Sequence, residues 1–425
     1  MPEASQGDPR PLSAPDNPGP RGRSRLNPAL VRRLNVARVF HALRLAGEAT
    51  QGHLVEATGL DPATVSAVVR QLRQEGWLRA SKAPRAGRSG RPPTHLTIDR
   101  DAGLLVGARL EPDAVQLLAT SLAGESIGSW QGPVEEGPDA AIASLREGVE
   151  ELLRDVGVGW DRVRAIGVGV PALMAHDGRL AFGPNLGWRD VPLRARLAER
   201  WRVPVAVDND TKAAALAEKL FGAARDAHDF VLIAGHSGVG GALYLGGRLQ
   251  RGAGGYAGEI GHVTVIPGGR ACGCGDRGCL EAYLSEKALV AQLRERGLAV
   301  RGYAGVAAAA AAGEPRALAL LAEVGALLAR VAADVVDLLD PELLVLAGSM
   351  THVAPYLLPA IERALAEPAL AGVRGACRVV ASRFGPEAVT VGGVALAMEA
   401  VLGLPAWWSD AGVGRPAWGA VGVGW

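Results

Sequence analysis

Residues 258–281 read GEIGHVTVIPGGRACGCGDRGCLE. Inside that stretch His262, Cys272, Cys274 and Cys279 fall within eighteen positions, with Glu259 just before the cluster and Glu281 just after it. One imidazole and three thiolates complete a tetrahedral zinc set, and a set that leaves no open position is structural rather than catalytic. The interspersed glycines let a short backbone close its ligands around one point. Three of the four cysteines of the chain lie here. A disulfide with a spare cysteine, or a buried thiol cluster, is the competing reading. Two thiols one residue apart bridge poorly and His262 completes the ligand set, so a structural Zn2+ is the expectation.

Around this stretch lies a chain of 425 residues, 48% hydrophobic, with room for two or three domains and ample core-forming side chains. No apolar run is long and clean enough to read as a membrane span, and the Pro-, Gly- and Arg-rich beginning has no apolar core of the kind a secretion signal needs. Few cysteines, three of them in a metal pattern, point to a reducing cytoplasm, and the excess of Arg over Lys with abundant Ala and Gly fits a GC-rich bacterial genome. The formal charge of +1 conceals an asymmetry: residues 1–100 hold 16 Lys+Arg against 8 Asp+Glu, out of totals of 45 and 44. A basic head on an acidic body suggests that the head meets a polyanion.

Residues 1–27 have no apolar periodicity and read as a disordered arm. From Pro28 the pattern changes: Leu30, Leu34, Val39 and Leu43 lie near helical spacing. Thr50 caps a second helix that Gly59 closes, and Asp61 caps a third, with Pro62 at its first position. Two short helices joined by a tight turn describe a helix-turn-helix, whose second helix enters the major groove. On it Ala63, Thr64, Ser66, Ala67 and Arg70 are the candidate DNA-facing residues, while the valines face the core; an ordinary three-helix bundle with a solvated face is the alternative. Trp77–Ala80 and His95–Ile98 then read as two strands of a wing, joined by a loop carrying Lys82, Arg85, Arg88 and Arg91. Arg88 and Arg91 are its candidate DNA contacts, Arg91 at a Gly-Arg-Pro tip suited to a minor groove. The expected DNA-binding region is 28–99.

From Gly103 short Val/Ile/Leu strands alternate with Ala/Leu-rich helices, the signature of an α/β body. Strands are expected at 104–109, 114–120, 164–170, 203–207, 230–234, 241–245 and 343–347. Helices are expected at 138–156, 191–201, 211–220, 281–295, 315–338, 354–366 and 386–402. Together head and body resemble a transcriptional regulator of the ROK family, which groups sugar-responsive repressors with sugar kinases. The resemblance rests on ATGLDPATVSAVVRQL (57–72) and GRPP (90–93) in the head. In the body it rests on GVGVPA (167–172), GPNLGW (183–188), DNDTKAAALAE (208–218), RGAGGYAGEIGH (251–262) and CGCGDRGCLEAYLS (272–285). It implies a winged helix-turn-helix followed, over 102–402, by an actin-like two-lobed ROK domain that takes a sugar between its lobes.

The resemblance further implies that Asn209, Asp210, Glu259, His262 and Glu281 hydrogen-bond the sugar hydroxyls, with Asn185 a further candidate for the cleft wall. Carboxylates accept strongly from paired hydroxyls, so the chemistry suits a hexose; solvated loop charges are the plainer alternative. His262 would then serve both metal and sugar, one ring nitrogen for each.

In kinases of the family Asp210 would be the general base. A phosphate cradle is also needed, and where those kinases carry Asp-x-Gly-x-Thr this chain has Arg109-Leu110-Glu111-Pro112-Asp113. Two carboxylates repel phosphate, and Pro112 lacks an N–H. The second phosphate loop, 236–242, and the segment 347–350 near the adenosine end keep only part of the expected glycines. The expectation is therefore a regulator with no catalytic residues rather than a sugar kinase. Its expected partners are palindromic or inverted-repeat operator DNA and a sugar or sugar phosphate effector, in a homodimer or homotetramer with no membrane attachment. A zinc-stabilised DNA-binding protein that senses no sugar is the third possibility. The Trp-rich tail 403–425 lies outside the resemblance and suggests no role.

Overall fold

The computed structural model describes residues 28–82, 94–366 and 374–402. The expected arm 1–27, the wing tip with Arg88 and Arg91, and the tail 403–425 lie outside the described residues. In the head, α1 (Pro28–Ala46), β1 (Glu48–Thr50), α2 (Gln51–Thr58), α3 (Pro62–Gln74), β2 (Leu78–Lys82) and β3 (Thr94–Ile98) follow in order. Both expected caps are present. The Thr50 side chain accepts from His53 N–H, Gly59 closes α2 at φ 64°, and Asp61 accepts from Thr64 N–H. Val65, Val68, Val69 and Leu72 bury one stripe of α3 against Phe40 and Leu54, as a helical period requires. β2 and β3 pair antiparallel, and the short β1, which the sequence reading missed, adds to the far edge of β3.

The first lobe of the body contains β4 (Leu104–Leu110), β5 (Ala114–Ser121), β6 (Ser126–Pro133), α4 (Pro138–Asp155), β7 (Val163–Val170), β8 (Leu173–Met174), β9 (Leu180–Gly183), β10 (Trp188–Val191), α5 (Leu193–Trp201) and β11 (Val205–Asn209). Helix α6 (Asp210–Phe221) leads to the second lobe, with β12 (Phe230–Gly235), β13 (Val239–Leu245) and β14 (Arg248–Gln250). There follow α7 (Glu281–Leu284), α8 (Glu286–Glu295), α9 (Gly302–Ala311), α10 (Pro315–Leu339), β15 (Leu343–Gly348), α11 (Ala354–Ala366), β16 (Arg378–Ala381) and α12 (Ala388–Leu402).

The two five-stranded sheets repeat one topology. In each, an antiparallel meander (β4-β5-β6, then β12-β13-β14) pairs its first strand in parallel with a later strand (β7, then β15). That strand pairs in parallel with an outer one (β11, then β16). Each outer strand runs into a long helix, α6 or α12, and the two helices are exchanged. α6 leaves the first sheet and packs on β12 and β13, whereas α12 leaves the second and packs on β4 and β7. They also pack on each other, so the layer between the sheets belongs to both lobes.

Close approach there depends on missing side chains. A Cβ on Gly167 would run into the Gly393 carbonyl, and one on Gly107 into that of Thr390, so α12 lies directly on the sheet backbone. The segment Gly385–Leu402 corrects one sequence expectation: it is long and apolar enough to cross a membrane. Its hydrophobicity is spent on this interlobe core, where most of it is buried. The expected helix 281–295 is also broken, at buried Ser285, into α7 and α8.

Candidate ligand cleft and metal cluster

A tight knuckle presents the cysteines. Cys272 N–H donates to Asp276 O at 2.8 Å and Gly275 N–H to Cys272 O at 3.1 Å, while Thr264 and Cys279 form a β-bridge. At Gly278, φ is 84° and a Cβ would collide with the Ile266 carbonyl, so only glycine lets Cys279 approach the knuckle. The outcome is that one ligand atom each from His262, Cys272, Cys274 and Cys279 lies within 4.8 Å of all the others. Cys272 Sγ stands 3.7 Å from His262 Nδ1, and Cys274 Sγ 3.7 Å from Cys279 Sγ. A disulfide holds its sulfurs about 2.05 Å apart, so no bridge is formed. Ligand atoms ~2.3 Å (S) and ~2.0 Å (N) from a tetrahedral ion stand roughly 3.5–3.8 Å from one another, which these separations match. Burial and the crowding of neighbouring thiols push the Cys279 thiol up to about 12, the penalty that a cation at the centre would offset. The residues fit a metal ion.

His262 turns Nδ1 toward the cysteines and Nε2 toward Glu259, whose Oε2 lies 4.0 Å away. The histidine therefore faces the cluster with one nitrogen and a carboxylate with the other. Burial raises the Glu259 carboxyl, against the pull of Lys212 and His262; Asp210 and Glu281 repel it further. Burial likewise raises Asp210, opposed by the Thr211 N–H, Arg109 and Lys212. The charges of Asp210, His262 and Glu281, drawn from three separate segments, thus all bear on Glu259.

Not all the sequence candidates offer a free hand there. Asn209 caps α6: its Oδ1 accepts from the N–H groups of Thr211 (3.0 Å) and Lys212 (3.2 Å), and its Nδ2 donates to Ala172 O at 3.1 Å. One amide hydrogen is left to it. Glu281 accepts from Val239 N–H at 2.9 Å through Oε2 and has Cys272 Sγ 3.7 Å from Oε1, so it also braces the cluster. Asn185 lies beside Lys287, whose Nζ is 3.5 Å from its Oδ1.

The three segments compared with kinase phosphate loops also meet. Buried Arg109 pairs with Glu111 and donates from Nη2 to His236 Nδ1 at 3.1 Å and from Nη1 to Pro386 O at 3.2 Å. Ser349 N–H also points at His236 Nδ1, at 3.3 Å. Burial, then Arg109, holds His236 well below its usual pKa, so its neutral ring accepts these bonds. Sequence reading took Arg109 and His236 each as a departure from a kinase phosphate loop; that the two, 127 positions apart, bond to one another carries no local signal.

On the head, Ala63, Ala67 and Arg70 are exposed on α3, and Thr64 and Ser66 half-buried. The Thr64 hydroxyl donates to Asp61 Oδ2 at 2.6 Å, so it reinforces the cap. Ser66, Arg70 and Arg73 line an open groove between α3 and β2, where Arg73 is an addition to the sequence candidates. Arg79 is held by Asp99 and Asp101 instead.

Residues 132–400 match the model of the ROK family, and residues 33–89 that of the MarR family. The chain is 29% identical over 396 residues to the DNA-binding transcriptional dual regulator NagC of Escherichia coli strain K12, spanning 88% of this chain and 95% of that protein. Among solved structures, a ROK family transcriptional regulator, a homologue of the E. coli MLC protein, superposes with a TM-score of 0.77 at 28% identity, covering 89% of this chain and 98% of the other. A ROK family glucokinase from Streptomyces griseus, solved with glucose and AMPPNP, superposes with a TM-score of 0.63 at 27% identity, over 70% of this chain and 100% of its own.

Proposed function

The chain belongs to the ROK family, and from that premise we propose that it is a DNA-binding transcriptional regulator, a repressor, whose hold on its operator is set by a sugar in the cleft of the body. The observation that carries this reading is the joint placement of Asp210, Glu259 and His262 beside a metal-binding knuckle, in a chain similar along its length to DNA-binding regulators. Paired sugar hydroxyls donate to carboxylates and accept from an imidazole N–H, so these groups read a polyol and reject ligands that leave them unpaired. His262, Cys272, Cys274 and Cys279 would hold a structural Zn2+, which supplies rigidity and fixes the orientation of the histidine. Asn209 and Glu281 would join the sugar contacts with the capacity their local bonds leave them.

The head would read DNA through Ala63, Thr64, Ser66, Ala67, Arg70 and Arg73, with Arg88 and Arg91 as contacts from the wing loop. A homodimer places two such heads on a palindromic or inverted-repeat site. The protein would work in the cytoplasm, where the cysteines stay reduced.

The second reading, a sugar kinase, is kept alive by Asp210 at the general-base position and by the glucokinase likeness. Against it, Arg109, Glu111 and His236 bond to one another where nucleotide phosphates would need open N–H groups. A coupled ATP-turnover assay with D-glucose, D-xylose and N-acetyl-D-glucosamine separates the two. No sugar-dependent turnover is expected, together with a rise in melting temperature for the sugar that binds. Robust turnover would overturn the regulator reading, and a chain that no sugar stabilises would point to a DNA-binding protein without a sensor.

A further inference from the structure

Helix α6 has the cleft at one end and the DNA-binding head at the other. Its N-terminus carries the Asn209 cap and Asp210, and Lys212 in its first turn donates to Gly255 O at 2.7 Å, in the loop that leads to Glu259. Its last turn leaves carbonyls without a helical partner. One of them, Leu220 O, accepts at 3.1 Å from Nη2 of Arg44 on α1 of the head. The Arg44 guanidinium also lies over the Phe221 ring, 5.0 Å from its centroid. Across its twelve residues α6 spans about 18 Å. It is bolted to the second lobe by buried Glu218, which pairs with Ser382 and accepts from Ala223 N–H at 2.7 Å.

We propose that Arg44 is the positioning residue through which the state of the cleft reaches the head, by gripping the carbonyl end of α6. The inference rests on the regulator reading above. A rigid helix with sugar-facing groups at one end shifts as a unit when the lobes close, and its far end moves with it. A cation at a helix C-terminus is favoured by the exposed carbonyls and by the ring face. The grip is incompletely satisfied: Arg44 Nε is buried without a hydrogen-bond partner, and Arg225 brings a second positive charge to bear on it. A displacement of α6 carries Leu220 O and the Phe221 ring with it, so it acts directly on this contact, and that is what a switch requires.

The test uses the full-length chain, a duplex that it selects from a random-sequence DNA pool, and the same three sugars. Wild-type DNA affinity should change by about tenfold or more with the sugar that binds. Arg44→Met should still be stabilised by that sugar and still bind the duplex, but its DNA affinity should change less than about twofold on adding sugar. Arg44→Lys, which keeps a donor and a charge at the helix end, should restore part of the response. Amide exchange of the α6 C-terminal turn should respond to sugar in wild type and lose its link to α1 in Arg44→Met. An undiminished DNA response in Arg44→Met overturns the role of Arg44 and leaves the regulator reading standing. A wild type whose DNA binding ignores every sugar, while one of them stabilises the body, overturns both.

Discussion

His262 turns one ring nitrogen to the cysteines and the other to Glu259, the arrangement that the proposed double role requires. The gathering of His262 with the three cysteines was legible in the sequence, since residue types at metal-ligand spacing carry their chemistry with them. The Arg109–His236 pair was not, since the two lie on different lobes and meet only after folding. For Glu259, whose carboxylate faces His262, Glu259→Gln removes the charge and should weaken sugar binding at least about tenfold, with DNA affinity in the absence of sugar unchanged. Isothermal titration checks this, and an unaltered sugar affinity would contradict it. His41 makes a pH prediction. Burial, then Arg44, lowers its pKa to about 3, whereas the unfolded chain titrates near 6.5. The unfolded state therefore takes up a proton that the folded head refuses. Stability from this group is complete above about pH 6.5 and declines as pH falls toward 3, by about 2 kcal/mol at pH 5. His41→Gln should lose less stability than wild type between pH 7.5 and pH 5 in denaturant titrations; equal losses would count against a neutral buried His41.

At the scale of elements, caps and turn residues announced themselves. Thr50, Gly59, Asp61 and Pro62 marked the ends of α2 and α3 where the structure has them. Elements without such marks were missed: α9 is nearly all alanine and glycine, with little contrast between its faces, and β6 is an edge strand with mostly exposed or half-buried residues. The break at Ser285 also escaped, because Glu281–Leu284 and Glu286–Glu295 each keep helical composition across it. What no local pattern reveals is the exchange of α6 and α12 between the sheets, which depends on glycines 107, 167 and 393 meeting across the interface. Gly167→Ala should push α12 off the sheet and destabilise the body by about 1–3 kcal/mol, read as a lower denaturation midpoint. A change below about 0.5 kcal/mol would mean that the helix does not lie against the sheet this tightly.

For the whole molecule, the two sheets repeat one topology, and one apolar core runs from the head through Phe221 into α6 and α12 between them. Head and interlobe layer thus share one core, which suits a sensor better than a tethered pair of independent modules. The knuckle borders a further core, in the second lobe, through Ile260, Leu280 and Tyr283. Cys274→Ser should lower the bound zinc found by atomic absorption and also the melting temperature; a full zinc content in the variant would remove Cys274 from the ligand set, and a wild type without zinc would remove the metal from the account. The central claim, that a sugar in the cleft sets DNA binding, is tested most directly by fluorescence anisotropy of a labelled, selected duplex titrated with the full-length protein, with and without each sugar. The account predicts a shift in DNA affinity of about tenfold or more for one sugar, without ATP. Identical curves with and without every sugar would contradict it.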